Sequence, residues 1–224
     1  MTLAVFDLDH TLLDGDSHVL WCDFLRSAGR LTAAQMARHE ALQQGYREQR
    51  SSAEDICSFY IGLFAGGTQA GWAPWVARYQ AEQVAPRLTP AAHALVQQHR
   101  DRGHTLLLSS ATNRELTTGS AAALGIPHLI ATEVETVAGR YTGRAQGVLN
   151  MREGKVQRLL DWLAARGQGP QALADAWFYS DSINDLPLLS AVGHPVAVNP
   201  DERLRAQALD RGWPVLQLAS TAAA

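Results

Sequence analysis

Val5-Phe6-Asp7-Leu8-Asp9-His10-Thr11-Leu12-Leu13-Asp14-Gly15-Asp16 places four carboxylates within ten residues, directly after the apolar run Leu3-Ala4-Val5-Phe6. A short, continuously apolar run suits a parallel strand buried on both faces. In open parallel sheets, ligands bind beyond the carboxyl ends of the strands. The stretch therefore predicts an α/β fold whose first strand carries Asp7 and Asp9 to a ligand site.

Similar runs recur at Thr105-Leu106-Leu107-Leu108, His128-Leu129-Ile130-Ala131, Ala176-Trp177-Phe178-Tyr179 and Pro195-Val196-Ala197-Val198. Amphipathic stretches separate most of them. One runs from Ala91 to Arg102; another runs from Lys155 to Arg166, with Val156, Leu159, Leu160 and Leu163 on one stripe. This alternation means a mostly parallel sheet. Glu135 to Gly147, with Gly139, Gly143 and alternation around Tyr141, reads as a hairpin. The region from Ser17 to Ala85 differs in kind. Ile56, Phe59, Tyr60, Leu63 and Phe64 follow helical spacing up to Gly66-Gly67, and Trp72, Trp75, Val76 and Tyr79 continue it. The expected organisation is a core of residues 1–15 and 86–224 with a helical insertion over 16–85. The aromatic residues of the insertion are expected to form its own core.

Apolar residues make up 46% of the chain, as in a packed globular protein. A net charge of −3 gives no reason to expect a nucleic-acid or anionic-membrane partner. Two cysteines, Cys22 and Cys57, are too few for a disulfide framework, lack metal-ligand spacing and read as buried thiols. No basic segment precedes a long apolar core, and no run approaches the ~20 apolar residues of a spanning helix. A cytoplasmic location is the default expectation. The small-residue tail 219–224 is expected to fray.

The ends of the other apolar runs supply further polar groups. Ser109, Ser110, Ala111 and Thr112 follow the second run. Ser180, Asp181, Ser182, Ile183, Asn184 and Asp185 follow the fourth. Asp7 and Asp9 are two residues apart, so in an extended chain they point to one side. Carboxylates held that close repel, and a divalent cation removes the conflict. Asp181 is a natural third oxygen ligand, and a few protein ligands plus water and a phosphate is the coordination Mg²⁺ favours. A helix is expected to start right after Ser109, with Thr112-Asn113-Arg114-Glu115 as its capping box, making an anion site. Lys155 lies in the first turn of its helix, where the macrodipole disfavours a cation by about 0.3–1 kcal/mol unless an anion sits nearby. Asp185 suits the N-cap of a helix with Pro187 just inside it, and also suits support of the metal site from behind.

These residues resemble the four motifs of the haloacid-dehalogenase-like phosphohydrolases. "DLDHTL" from Asp7 is similar to the D-x-D-x-T motif, "LLLSSAT" carries Ser109 as the motif hydroxyl, Lys155 is the third motif, and "SDSINDLPLL" brings Asp181 and Asp185. The insertion directly after the first motif, with "DLDHTLLDGDS" and "YSDSINDLPLL", is similar to the phosphoserine-phosphatase-like branch. The resemblance implies a three-layer Rossmann-like core with an all-helical cap. It implies Asp7 as nucleophile forming an aspartyl-phosphate and Asp9 as general acid and then base. It further implies Mg²⁺ held by the Asp7 side chain, the Asp9 carbonyl and Asp181, with Ser109, Ser110, Lys155 and Asn184 around the phosphoryl group. A phosphomutase would keep the same motifs, and a phospho-accepting receiver domain combines similar groups but carries no large helical insertion.

The resemblance also bears on the substrate, a small phosphate monoester. Asp16 stands where that branch places a glutamate that meets the substrate's amino group. The branch's S-L-x-x-R-V segment, whose arginine meets a serine carboxylate, is missing. Arg47 and Arg50 in "GYREQRSS" do not match it and read as solvated. The expected substrate is an amine-bearing monoester such as histidinol phosphate, with phosphoserine not the best.

Overall fold

The structure, a computed structural model, describes residues 2–48 and 50–218, with the side chain of Arg47 outside that description. The expectations for the tail 219–224 and for Arg47 therefore lie outside the described residues. Arg50 is exposed and ion-paired to Glu48, as a solvated arginine should be.

The chain runs β1 (Leu3–Phe6), α1 (Ser17–Ser27), α2 (Ala33–Arg47), α3 (Ala53–Gly62) and α4 (Gln69–Tyr79). A π-helical turn (Gln80–Val84) and a 3₁₀ turn (Ala85–Arg87) lead into α5 (Pro90–Asp101). Then come β2 (Thr105–Asn113), α6 (Arg114–Ala123), β3 (His128–Val137), β4 (Arg140–Gln146) and α7 (Glu153–Ala164). The chain closes with β5 (Trp177–Ser180), α8 (Leu186–Ala191), β6 (His194–Val198), α9 (Glu202–Asp210) and β7 (Val215–Leu216).

Among the described residues the strands form one seven-stranded sheet in the order β4-β3-β2-β1-β5-β6-β7, parallel except for β4. This is a Rossmann-like α/β fold, with helices on both sides of the sheet. The chain builds outward from β1 first towards β4 and then towards β7, so the strand order reverses at β1. That reversal opens the crevice in which such sheets bind ligands, and Asp7 follows β1 directly.

Strand parity divides the core. Phe6, Leu106 and Leu108 join a cluster with Trp21, Phe24, Phe64 and Tyr79 of the helical segment. Leu3, Val5 and Leu107 join Leu159 and Leu163 of α7 on the other face. Between β1 and β2 no strand lies among the described residues, and Trp21 stacks on Phe24 and Phe64 with Tyr79 edge-on. These aromatic residues are packed as core, but in one cluster shared with the sheet and not in a core of the segment's own, and Tyr46 stays exposed. The hairpin is present: β3 and β4 turn at Ala138 and Gly139, both at positive φ, the conformation a two-residue type I′ turn requires. The free edge of β4 is covered by Gly66 and Gly67, whose backbones exchange hydrogen bonds with Tyr141.

Two local expectations fail. β2 continues in extended form to Asn113, so no helix starts after Ser109. The N-cap of α6 is Asn113, which accepts from the Leu116 amide, and Thr112 does not head a capping box. Asp185 stands at the N-cap position of α8, but its side chain makes no capping hydrogen bond, because a stronger charged partner takes it.

Candidate active site

The strand ends bring Asp7, Asp181 and Asp185 together around Lys155. Lys155 sits in the first turn of α7 with its side chain 2% exposed. Its Nζ donates to Asp7 Oδ1 at 2.7 Å and to Asp185 Oδ2 at 2.6 Å. Ser180 Oγ adds a third bond, donating to the same Asp185 oxygen at 2.7 Å. The lysine is thus no solvated surface cation. Thr11 Oγ1 lies 3.3 Å from Asp7 Oδ2 and 3.2 Å from Asp181 Oδ1, and it accepts from the Asp181 amide. One hydroxyl proton cannot serve both carboxylates at once.

Asp9 faces elsewhere. Its Oδ1 accepts from the Ser17 amide at 2.8 Å, and its Oδ2 accepts from the Thr112 hydroxyl at 2.9 Å. Ser17 Oγ in turn donates to Thr112 Oγ1, and His18 Nδ1 lies 3.5 Å from the same oxygen. The first turn of α1 and the end of β2 therefore hold Asp9 jointly. Extension of β2 past Ser110 is what carries Thr112 there.

Ser109 and Ser110 are both buried, and neighbouring strand residues point to opposite faces. Ser109 lies on the face of Lys155, and its Oγ accepts from Asn150 Nδ2 at 3.1 Å. Ser110 lies on the opposite face, and its Oγ accepts from the Thr112 amide. Asn184 reaches the rim of the site and donates to the Tyr46 hydroxyl at 2.8 Å. Asp16 caps α1, its Oδ1 accepting from the Val19 amide at 2.9 Å, while the residue also lines the cavity.

Sequence reasoning missed Asn150, Ser17, His18 and the partners of Thr11 and Thr112. Asn150 is fully buried, and its Nδ2 also lies 2.9 and 3.1 Å from the carbonyls of Ser110 and Ile130, three acceptors shared by two N–H groups, which fixes the loop that precedes Lys155. Its signal was available: a lone amide among Val148, Leu149 and Met151, just before the motif lysine.

A cavity of about 640 Å³ opens over the site, and Ser109, Ser110 and Asn150 lie behind its lining. Asp7, Asp9, Lys155, Asp181 and Asp185 form its floor. Val19, Leu20, Ile56 and Met151 make apolar walls, and Gln43 and Tyr46 add polar ones. Among the described residues lining it, Lys155 is the only lysine or arginine.

Burial pushes the Asp7 carboxyl up to about 7; Lys155 opposes this, and Asp185 and Asp9 add to it. Burial likewise holds Asp181 well above the carboxylate range, reinforced by Asp7 and Asp185. Burial first and Asp16 second raise Asp9, against the hydrogen bonds from Ser17. Burial alone would lower the Lys155 ammonium, but Asp185 and Asp7 reverse that and hold it above its usual range.

A divalent cation fits this donor set. Buried acids outnumber the single ammonium, and the Asp7 and Asp181 carboxylates face each other across the Thr11 hydroxyl. Among the described residues no three His, Cys, Asp or Glu side chains converge on one point. A cation here would take two carboxylates and complete its shell with backbone carbonyl and water, the sparse protein set that Mg²⁺ accepts.

Comparison with known proteins agrees with this geometry. Residues 4–190 match the haloacid dehalogenase-like hydrolase family. A histidinol-phosphatase from Neisseria meningitidis is 39% identical over 216 residues, covering 96% of this chain and 97% of its own. A solved structure from Bordetella pertussis Tohama I, a protein of unknown function, is 42% identical with a TM-score of 0.90, covering 96% of this chain and 99% of its own. A substrate-bound phosphoserine phosphatase, 17% identical with a TM-score of 0.68 over 96% of this chain and 92% of its own, shares the fold. The chain belongs to the haloacid dehalogenase-like hydrolase family. Within it, it stands in the phosphoserine-phosphatase-like branch and is a phosphoric monoester hydrolase. Among the described residues no helix is long and apolar enough to cross a membrane.

Proposed function

We propose that the protein is a cytoplasmic, Mg²⁺-dependent phosphatase of an amine-bearing alcohol phosphate, with histidinol phosphate as the leading substrate. One observation carries the substrate class. The cavity is rich in carboxylates, and its single described cation, Lys155, is held between Asp7 and Asp185. Among the described residues lining the cavity, a leaving group's own carboxylate would meet no lysine or arginine other than the committed Lys155, and an unpaired buried charge is costly. An ammonium group meets the opposite situation. The 39% identical histidinol-phosphatase supports the same class.

In this reading the Asp7 carboxylate attacks phosphorus. The bond from phosphorus to the leaving oxygen breaks, and Asp9, whose raised pKa suits an acid, protonates that oxygen. Asp9 then takes a proton from water, which attacks the aspartyl-phosphate and releases phosphate and free Asp7. Such positioned proton transfer is worth roughly 10²–10⁴-fold. Ser109 donates to the phosphoryl oxygens together with Lys155 and Asn184. Ser110, on the other sheet face, serves that site through its backbone. Asp7, Asp181 and the Asp9 carbonyl would hold Mg²⁺, which offsets charge between nucleophile and phosphate. Asp185 keeps Lys155 in place. Residues 16–85 act as a cap that closes over the substrate and excludes water.

The test is a phosphate-release screen over amino-alcohol, amino-acid, sugar, nucleotide and acyl phosphates. Histidinol phosphate should give the highest kcat/KM, and phosphoserine should rank below it. A sugar phosphate, a nucleotide or phosphoserine in first place would overturn the assignment.

A further inference from the structure

Two remote parts of the chain face each other across the cavity. α1 to α3 supply one side, and the turn after β5 supplies the other. One hydrogen bond between cavity-lining side chains joins α2 to that turn: Asn184 Nδ2 donates to the Tyr46 hydroxyl at 2.8 Å, across 138 residues of sequence. Tyr46 stands in the last turn of α2 and is 40% exposed. Asn184 lies in a 3₁₀ turn whose start is fixed by Ser182 Oγ, which accepts from the Asn184 amide at 3.2 Å.

A primary amide carries two N–H donors in one rigid plane. Tyr46 takes one of them. The Tyr46 hydroxyl accepts from Nδ2 here, which leaves the other N–H of the amide uncommitted to Tyr46. The second N–H belongs to a residue that lines the cavity together with Asp7 and Lys155, where a phosphoryl oxygen can accept it.

We propose that Tyr46 is a positioning residue: its hydroxyl orients the Asn184 amide for the phosphoryl group and so ties closure of α2 to phosphate binding. The inference rests on the reading of Asn184 as a phosphoryl donor. Without phosphate, a bond between two partly exposed side chains contributes little. With phosphate, both N–H groups of one amide are satisfied at once, and the closed state gains. Coupling of this kind is reciprocal, so closure must tighten phosphate by the factor that phosphate favours closure.

A second contact ties α3 to the start of α7, Arg152 to Glu54 at 3.5 Å, but neither residue lines the cavity. Glu54→Gln therefore serves as a control for a bridging contact that does not reach phosphate.

The experiment measures inorganic phosphate as a competitive inhibitor of aryl phosphate hydrolysis, with Mg²⁺ present. The variants are Tyr46→Phe, Asn184→Ala, their double mutant and Glu54→Gln. Tyr46→Phe should weaken phosphate by about threefold to tenfold, the range set by one modest hydrogen bond. Asn184→Ala should weaken it at least as much, and the double mutant should match Asn184→Ala alone. Glu54→Gln should leave phosphate affinity unchanged. Tyr46→Phe should also lower kcat/KM by one common factor for an aryl phosphate and an amine-bearing phosphate, with an unaltered thermal midpoint. The proposal is overturned if the two single effects multiply, if Tyr46→Phe behaves like Glu54→Gln, or if its effect depends on the leaving group. If Asn184→Ala leaves phosphate affinity intact, the phosphoryl role of Asn184 fails, and the role of Tyr46 with it; an effect of Asn184→Ala alone overturns only Tyr46.

Discussion

Lys155 and Asp7 are 148 residues apart in sequence, yet Nζ and Oδ1 are 2.7 Å apart in a site where the two side chains are 2% and 10% exposed. Lys155 is the sole ammonium against Asp7 and Asp185. Breaking a buried pair by removing one partner costs about 3–5 kcal/mol, because the remaining charge has no partner. Lys155→Ala should therefore lose stability of that order as well as activity. Added Mg²⁺ should restore part of the stability by supplying positive charge. Urea unfolding with and without Mg²⁺ checks both statements; equal stability of wild type and variant would show that the ammonium is not what balances these acids.

The metal itself is open to a direct test. Exhaustive chelation should abolish aryl phosphate hydrolysis, and Mg²⁺ should restore it. Ca²⁺ should restore it poorly, since it accepts more ligands in looser geometry than Asp7, Asp181 and a backbone carbonyl provide. Full activity in the chelated enzyme would remove the cation from the mechanism.

Asp9 is held by two donors, the Ser17 amide and the Thr112 hydroxyl. Asp9→Asn should lower kcat by roughly 10²–10⁴-fold, the usual value of a lost acid/base group. Thr112→Val leaves Asp9 ionisable but frees one of its oxygens. Its kcat should fall by about tenfold, the worth of one charge-assisted hydrogen bond, with KM little changed. Asp7→Asn should abolish turnover and phosphoenzyme together. Steady-state kinetics of the three variants separate the roles; a kinetically silent Asp9→Asn would end the acid/base assignment.

Much of this site could be read from the chain because strand ends are local events. An apolar run followed by Asp7, Ser109 or Asp181 marks a position at the carboxyl edge, whatever the neighbours are. Lys155 was legible for a related reason, as a cation in an unfavourable first turn. What was not legible depends on contacts between remote segments. The capping pattern at Thr112 was outcompeted because its hydroxyl meets Asp9, 103 residues away, while Asn113 caps α6 instead. Asp185 follows the same logic: a cap bond to a neutral amide loses to a charged bond with Lys155. Asn150 stayed hidden because its three acceptors come from β2 and β3, and β7, with two residues, is too short to carry a periodic signal.

Away from the active site, His99 sets a pH dependence of stability. It is 1% exposed, with Nε2 2.7 Å from the Tyr179 hydroxyl and Nδ1 2.8 Å from His104 Nδ1. Burial, helped by His104 and Arg102, pulls its pKa down to about 4. The unfolded chain, with a value near ~6.5, binds a proton that the folded chain refuses. The contribution is therefore full above about pH 6.5, declines between about 6.5 and 4, and is level below that. His18, also pulled down to about 4 by burial, acts in the same window. Asp7, Asp9 and Asp181, raised by burial, act in the opposite sense over the same window, so the His99 share is read as a difference: as pH is lowered from 7 to 4.5, the urea midpoint of His99→Gln should gain on that of the wild type. An identical slope in the variant would mean that His99 takes up its proton in both states alike.

Asp16 holds two tasks that a pair of substitutions can separate. Its Oδ1 caps α1 by accepting from the Val19 amide, and the residue lines the cavity. Asparagine caps helices about as well as aspartate, whereas alanine costs about 1 kcal/mol. Asp16→Asn should therefore keep the stability of the wild type while removing the charge. If the charge receives the substrate's ammonium, KM for an amine-bearing phosphate should rise by about tenfold or more, because an ion pair becomes a neutral contact away from bulk water. KM for an aryl phosphate without an amine should stay within about twofold. Asp16→Ala should show the same KM change with a lower thermal midpoint. Equal KM shifts for both substrates in Asp16→Asn would assign the residue to α1 alone, and recognition of the amine would then have to come from another wall of the cavity.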